Sequence, residues 1–146
     1  MKMKKNQVGF TLIELVLVIV LVGVLAAVAL PKFVDLGSDA RISAIKGLDG
    51  AMRSANTVIY AKAAVSNSMG ATGTVTISGV SIATAYGFAA DALELAKAMD
   101  LSSDFLSSAL DIRHTGATSA AACKDVYTPV AGQNSVPVYV MTLTGC

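Results

Sequence analysis

Tryptophan is absent from the 146 residues, histidine occurs once, cysteine twice and proline three times. A single histidine, His114, supplies no His-based metal site, and no C-x-x-C or H-E-x-x-H spacing occurs. No G-x-x-x-x-G-K-(S/T) run is present to cradle a nucleotide, and no G-x-S-x-G elbow to present a serine. These absences argue against an enzyme, and neither a cofactor nor a metal is expected. Charge is scarce too, at 14% of residues, where an ordinary soluble chain carries about 25%. The formal net charge of +1 creates no basic field for nucleic acid. The length fits one folded domain.

What the chain has instead is a concentrated apolar run. A short head carrying Lys2, Lys4 and Lys5 leads to Phe10–Leu30, 21 residues that are apolar except for Thr11 and Glu14. As a helix this stretch is about 31 Å long, enough to cross the hydrocarbon core of a bilayer. The lysines before it are expected to stay cytoplasmic, placing the remainder outside. Three readings compete: a secretory signal peptide with Ala27-Val28-Ala29 as its cleavage site, a plain signal anchor, or a helix first held in the membrane and later packed against protein. Glu14 favours the third. A carboxylate in such a segment costs about 2.5–3.5 kcal/mol near the bilayer centre, less near its edge, and so calls for a partner. No cation lies between Glu14 and Lys32. Cleavage between Gly9 and Phe10 would create one, an α-amino group that a neighbouring chain's Glu14 could meet.

The run Gly9-Phe10-Thr11-Leu12-Ile13-Glu14-Leu15 resembles the class III signal of type IV pilins and type II secretion pseudopilins. That family has a short basic leader, Gly before the cut, Phe after it and Glu four residues further on, and Pro31 falls where these pilins bend their helix. The resemblance implies cleavage after Gly9 by a prepilin peptidase, N-methylation of Phe10, and Glu14 setting the register of assembly. It implies a leader over 1–9, a membrane and fibre-core helix over 10–31, and a globular pilin head over 32–146 that includes the amphipathic half of the helix. It also implies a bacterial inner-membrane precursor that becomes an extracellular fibre. The partners implied are other pilin subunits in a homopolymer, an inner-membrane assembly platform and a separate motor ATPase. The ligand on a host or abiotic surface is unknown, and no nucleic acid is expected.

Beyond Pro31 an apolar stripe of Leu36, Ala40, Ile45, Leu48, Met52, Ala55 and Ile59 recurs mostly every three or four residues. One long helix from Phe10 to about Ala63 is therefore expected, its first half protruding and its second packed under the head. Pro31 should kink it, and the resemblance implies loss of helix between Gly23 and Pro31 within the fibre. Thr74–Ile77 and Val80–Thr84 flank Ser78-Gly79 as a hairpin, Asp91–Met99 reads as a short helix with Leu93 and Ala96 inward, and strands are expected at Ala109–His114, Lys124–Pro129 and Pro137–Leu143. The fold class is α+β, a long N-terminal helix against an antiparallel sheet.

Cys123 and Cys146 both lie in the exported part, where an even count reads as a disulfide; two free thiols are the alternative. Such a bond is worth about 3 kcal/mol on the chain-entropy model, and it resembles the C-terminal loop of type IVa pilins. Ala85-Tyr86-Gly87-Phe88 and Gly145-Cys146 add a looser similarity to mannose-sensitive haemagglutinin pilins. His114 reads as a surface residue, and Asp100, Asp104 and Asp111 fit no calcium loop, with Asp104 reading equally as a polar helix face. Tyr60, Tyr86, Tyr127 and Tyr139 read as core or sheet-face residues before a sugar platform. The function expected is a structural, major subunit of an adhesive type IV pilus that also serves biofilm attachment. A secretion pseudopilin and a DNA-uptake pilin are the alternatives.

Overall fold

The structure is a computed structural model that describes residues 9–146; Lys2, Lys4, Lys5 and the leader up to Val8 lie outside the described residues. The chain divides into two compact units, one ending at Gly37 and one from Ser38 to Cys146. A single helix, α1 (Leu12–Val65), contributes to both.

In the first unit α1 is rich in Val, Ile and Leu. β-branched residues are indifferent helix formers in water. In hydrocarbon, where every backbone group must be satisfied within the segment, a helix is the only open choice. Its apolar side chains are exposed all round, Leu12, Leu17, Leu21, Leu25 and Val28 among them. The helix is long and apolar enough to cross a membrane. α1 continues as helix through Gly23 and Pro31.

In the second unit α1 buries Ile45, Leu48, Met52, Asn56, Ile59 and Ala63, a helical spacing of three and four. Leu36, in the first unit, and Ala40 are exposed and do not extend this stripe. Ala55 is partly buried against the core, as the apolar pattern expected, and Asn56 beside it is fully within it. A three-stranded antiparallel sheet follows, β1 (Gly73–Ile77), β2 (Val80–Ala85) and β3 (Phe88–Ala89), with Val75 opposite Ile82 and Ala85 opposite Phe88. Both of its turns have positive φ at two successive residues, Ser78 and Gly79 (51° and 83°) and Tyr86 and Gly87 (49° and 87°). That is the pattern of a type I′ hairpin turn, whose twist matches the strands it joins. Sequence periodicity found the first turn and missed the second, because β3 is only two residues long.

The helix α2 (Ala92–Lys97) is capped by Asp91, whose side chain accepts from the Glu94 N–H at 2.8 Å. The Glu94 carboxylate accepts in turn from the Ala83 N–H of β2 at 2.8 Å. This clamp rotates α2 so that Ala92 and Leu95 face the core and Leu93 is exposed, correcting the inward Leu93 of the sequence pattern. Ala96 is partly buried against the core.

A four-stranded antiparallel sheet completes the unit: β4 (Phe105–Ser107), β5 (Asp111–His114), β6 (Lys124–Thr128) and β7 (Val138–Thr142), in sequence order. Asp104 lies in a turn before β4, not on a helix face. β5 starts at Asp111, two residues after the expected Ala109, since Ser108 and Asp111 close a turn between β4 and β5 through the Ser108 hydroxyl. Ile112 and Tyr127 from this sheet, Val75, Ile82 and Ala89 from the other, and Leu95 of α2 join the α1 stripe in one core.

Candidate functional site

The residues singled out at the N-terminus sit at the start of α1. Phe10 is 91% exposed. Thr11 caps the helix: its backbone N–H and its hydroxyl both donate to Glu14 Oε2, at 2.8 and 2.9 Å, and the Glu14 N–H donates to Thr11 Oγ1 at 3.3 Å. This is a reciprocal capping box. It moves the helix start to Leu12 rather than Phe10. Thr11 carried no role in the sequence pattern, although a T-x-x-E spacing before an apolar run is the signal that finds it.

Cys123 and Cys146 are joined by a disulfide, with Cα atoms 4.8 Å apart. The bonded ends enclose β6 and β7. Gly145 is pressed into the 3-10 turn Ala120–Ala122 and its flank: a Cβ there would lie 2.7 Å from both Ala122 Cβ and Ser119 O. Gly145 N–H donates to Ala122 O, and Ser119 N–H to Gly145 O. The Arg41 Nε–H of α1 donates to the Cys146 carbonyl. The C-terminal loop is thus held by a covalent bond, two backbone bonds and a helix side chain.

The second unit also holds a polar hub that apolar periodicity passed over. Asn56 Nδ2 donates to the hydroxyls of Tyr127 (3.0 Å) and Tyr139 (2.8 Å), and Asn56 Oδ1 accepts from the Ala89 N–H at 2.9 Å. Tyr127 donates its own proton to Ala89 O at 2.8 Å. The hub joins α1 to both sheets, and burial pushes the Tyr127 hydroxyl well above the usual tyrosine range. Tyr127 and Tyr139 are therefore core and sheet-face residues, as expected. Tyr60 and Tyr86 are placed elsewhere, with Phe88, in the wall of a cleft.

The acidic residues separate. Asp111 is buried, which works against ionisation, but hydrogen bonds from Lys124 (2.9 Å), Arg113 (2.6 Å) and Ser108 (2.8 Å) outweigh that and lower it to about 2. Asp125 is fully buried and neither carboxyl oxygen has a hydrogen bond. Burial, then the negative charge of Asp49 on α1, push it up to about 6. Among the described residues no three His, Cys, Asp or Glu side chains converge as a metal site would need. His114 packs edge-on to Phe105, and its Nδ1 accepts from the Gly116 N–H at 3.1 Å.

Comparison with known proteins bears on the N-terminal segment first. Residues 4–30 match the prokaryotic N-terminal methylation motif. The type IV narrow pilus major component of Thermus thermophilus is 46% identical over 55 residues, covering 38% of this chain and 47% of that protein. A type IV major pilin protein of Neisseria gonorrhoeae is 48% identical over 58 residues, 40% of this chain and 35% of its own. A type IV major fimbrial protein of Dichelobacter nodosus is 42% identical over 53 residues, 36% and 34% of the two chains. The chain spans less than half the length of each of these relatives. No solved structure gives a significant match.

Proposed function

We propose that this chain, a type IV pilin by its N-terminal motif and its relatives, is held in the inner membrane as a precursor and polymerises as the structural subunit of an extracellular pilus. The observation that carries the reading is the helix segment from Leu12 to Leu30, whose apolar side chains are exposed all round and whose one charge is Glu14. Such a surface is stable in a bilayer and, after extraction, against the same helix of other copies. A prepilin peptidase cutting between Gly9 and Phe10 frees an amine at the helix start, where N-methylation follows. That amine, met by Glu14 of a neighbouring copy, offsets the burial of both charges and sets the axial register. Gly23 and Pro31 supply the weak point at which the helix yields during assembly. The domain division follows: leader 1–9, fibre-core helix 10–31, head 32–146.

Energy for extraction comes from a separate motor ATPase acting through a membrane platform. On the second unit, a groove of about 590 Å³ along α1, lined by Ala44, Gly47, Leu48, Ala51, Val58 and Phe105 among others, offers another copy a second apolar contact. The exposed remainder of the head serves attachment to surfaces and biofilm growth, in line with the similarity to mannose-sensitive haemagglutinin pilins. A pseudopilin is disfavoured by the disulfide. A DNA-uptake pilin is disfavoured by charge: without Lys2, Lys4 and Lys5, eight of the eleven bases remain against ten acids.

The test is an intact mass of the exported protein with and without reductant. A chain beginning at N-methylated Phe10, two hydrogens lighter before reduction, is the expected result. A chain beginning at Leu30 is an ordinary secreted domain and overturns the reading.

A further inference from the structure

Asp125 has no part in assembly as argued above, yet it is fully buried with no hydrogen bond to either carboxyl oxygen. It sits in the middle of β6, between Ile112 of β5 and Met141 of β7. Alternation along the strand puts it on the same face as Tyr127, which meets Asn56 of α1. The charges that reach Asp125 come from α1: Asp49, placed to accept from a protonated Asp125, and the opposing Arg53. Arg53 is engaged elsewhere. Its Nε–H donates to both Asp49 oxygens, at 3.0 and 2.9 Å, and its guanidinium lies 4.4 Å over the ring of Tyr139 on β7.

The remaining charged neighbours are already paired or turned away. Lys124 and Arg113 both donate to Asp111, on the opposite side of the sheet. His114 packs on Phe105 and accepts from the Gly116 N–H. On α2, which also packs against β6, Glu94 is bound to Lys97 and to the Ala83 N–H.

This cluster balances in two ways. A protonated Asp125 donates to Asp49, and the single negative charge left is met by Arg53. An ionised Asp125 has no donor, and two carboxylates then repel each other where water is excluded. Arg53 carries five N–H donors in a fork, and its half-exposed side chain has room to turn. Swung off the Tyr139 ring, its free Nη groups would bridge both acids.

We propose that Asp49, Arg53, Asp125 and Tyr139 form a proton-operated latch between α1 and the four-stranded sheet. One proton shared by the two acids keeps Arg53 on the Tyr139 ring. Its loss draws Arg53 onto the acid pair and loosens the sheet from the helix. In the fibre proposed above, the C-terminal strands are then held more firmly in acidic than in neutral surroundings. The latch belongs to the second unit alone, so failure of the fibre reading would leave it standing.

The experiment is NMR of the full chain in detergent micelles, with ¹³C in the aspartate carboxyls and tyrosine rings, titrated from pH 4 to 8. The Asp125 carboxyl and the Tyr139 ring signals are expected to move together, with a midpoint at about 6. Asp125→Asn mimics the protonated acid, since its amide donates to Asp49, and should hold the Tyr139 signal constant. Asp49→Asn removes the like charge at a partly exposed position. It should lower the Asp125 midpoint by about one pH unit, a tenfold change in its acid constant, and it keeps the test open if Asp125→Asn does not fold. Arg53→Lys keeps the charge but loses the fork, so the carboxyl should titrate while the ring no longer follows. An Asp125 midpoint at about 4, the ordinary aspartate value, would overturn the latch. So would a Tyr139 ring that stays still while Asp125 titrates, or one that still moves in Asp125→Asn or Arg53→Lys.

Discussion

The Glu14 carboxylate accepts both donors of Thr11, the N–H at 2.8 Å and the hydroxyl at 2.9 Å, and so closes the first turn of α1 inside its own chain. The residue proposed to meet a neighbour's amine is therefore already oriented. Its oxygens lie at the end of the helix where the proposed cleavage would create a positive group, and Thr11 limits the rotamers it would give up on the proposed assembly.

Capping and charge can be separated at this position. Glutamine caps as glutamate does, but carries no charge. Glu14→Gln should keep the helix start, read by amide exchange in micelles, and abolish piliation, read by electron microscopy; Glu14→Ala should lose both. Normal pili on the Gln strain would refute the charge-pair register.

Gly47 lies in the apolar groove with open space where a Cβ would be. Gly47→Leu should raise the melting temperature of the detergent-solubilised chain, because glycine costs a helix interior about 1 kcal/mol relative to alanine. The same side chain fills the groove and should cut the yield of filaments. Filaments at wild-type yield would exclude the groove as a contact between copies.

Removing the Asn56 side chain leaves the Ala89 N–H without its acceptor and takes a donor from each of two tyrosines. Asn56→Ala is expected to cost about 2–4 kcal/mol in urea denaturation, the range for a broken buried network plus a cavity.

The double variant Cys123→Ser, Cys146→Ser opens a loop whose ends are 23 positions apart. The expected loss is about 3 kcal/mol. Gly145→Ala should weaken the same corner with the disulfide intact, since its Cβ meets Ala122 and Ser119. Equal stability of Gly145→Ala and wild type in the same urea titration would contradict that packing.

Two carboxyls set opposing pH dependences. Asp125 ionises near 3.8 in the unfolded chain and at about 6 when folded. Between those values the folded state keeps a proton that the unfolded state has lost. Stability therefore falls as pH rises from about 4 to 6, by up to about 1.4 kcal/mol per unit. Asp111, lowered to about 2, contributes stability above its unfolded value that is lost as pH falls from about 4 towards 2. Melting temperature measured across pH 2–8 should show both slopes, and Asp125→Asn should flatten the upper one and raise stability at pH 7.

Much of this protein was legible in one dimension because it depends on local repetition or on a short run of residue types. The apolar span from Phe10, the Gly9-Phe10…Glu14 signal, the long helix, the Ser78-Gly79 hairpin and the even cysteine count all belong to that kind. Periodicity works there because a helix or strand face is set by residues two to four positions apart. Other features depended on contacts between residues far apart. Leu95 rather than Leu93 faces the core because the Glu94 carboxylate reaches β2. Asn56 is buried as a polar residue because two tyrosines, 71 and 83 positions away, supply it with partners. Asp125 is buried as an acid because β6 takes it out of water and sets it near Asp49 of α1, against the opposing charge of Arg53. The four tyrosines divide into a buried pair and a cleft pair for the same reason. A side chain's polarity is local, but the groups that satisfy or strand it are chosen only when the sheets close on the helix.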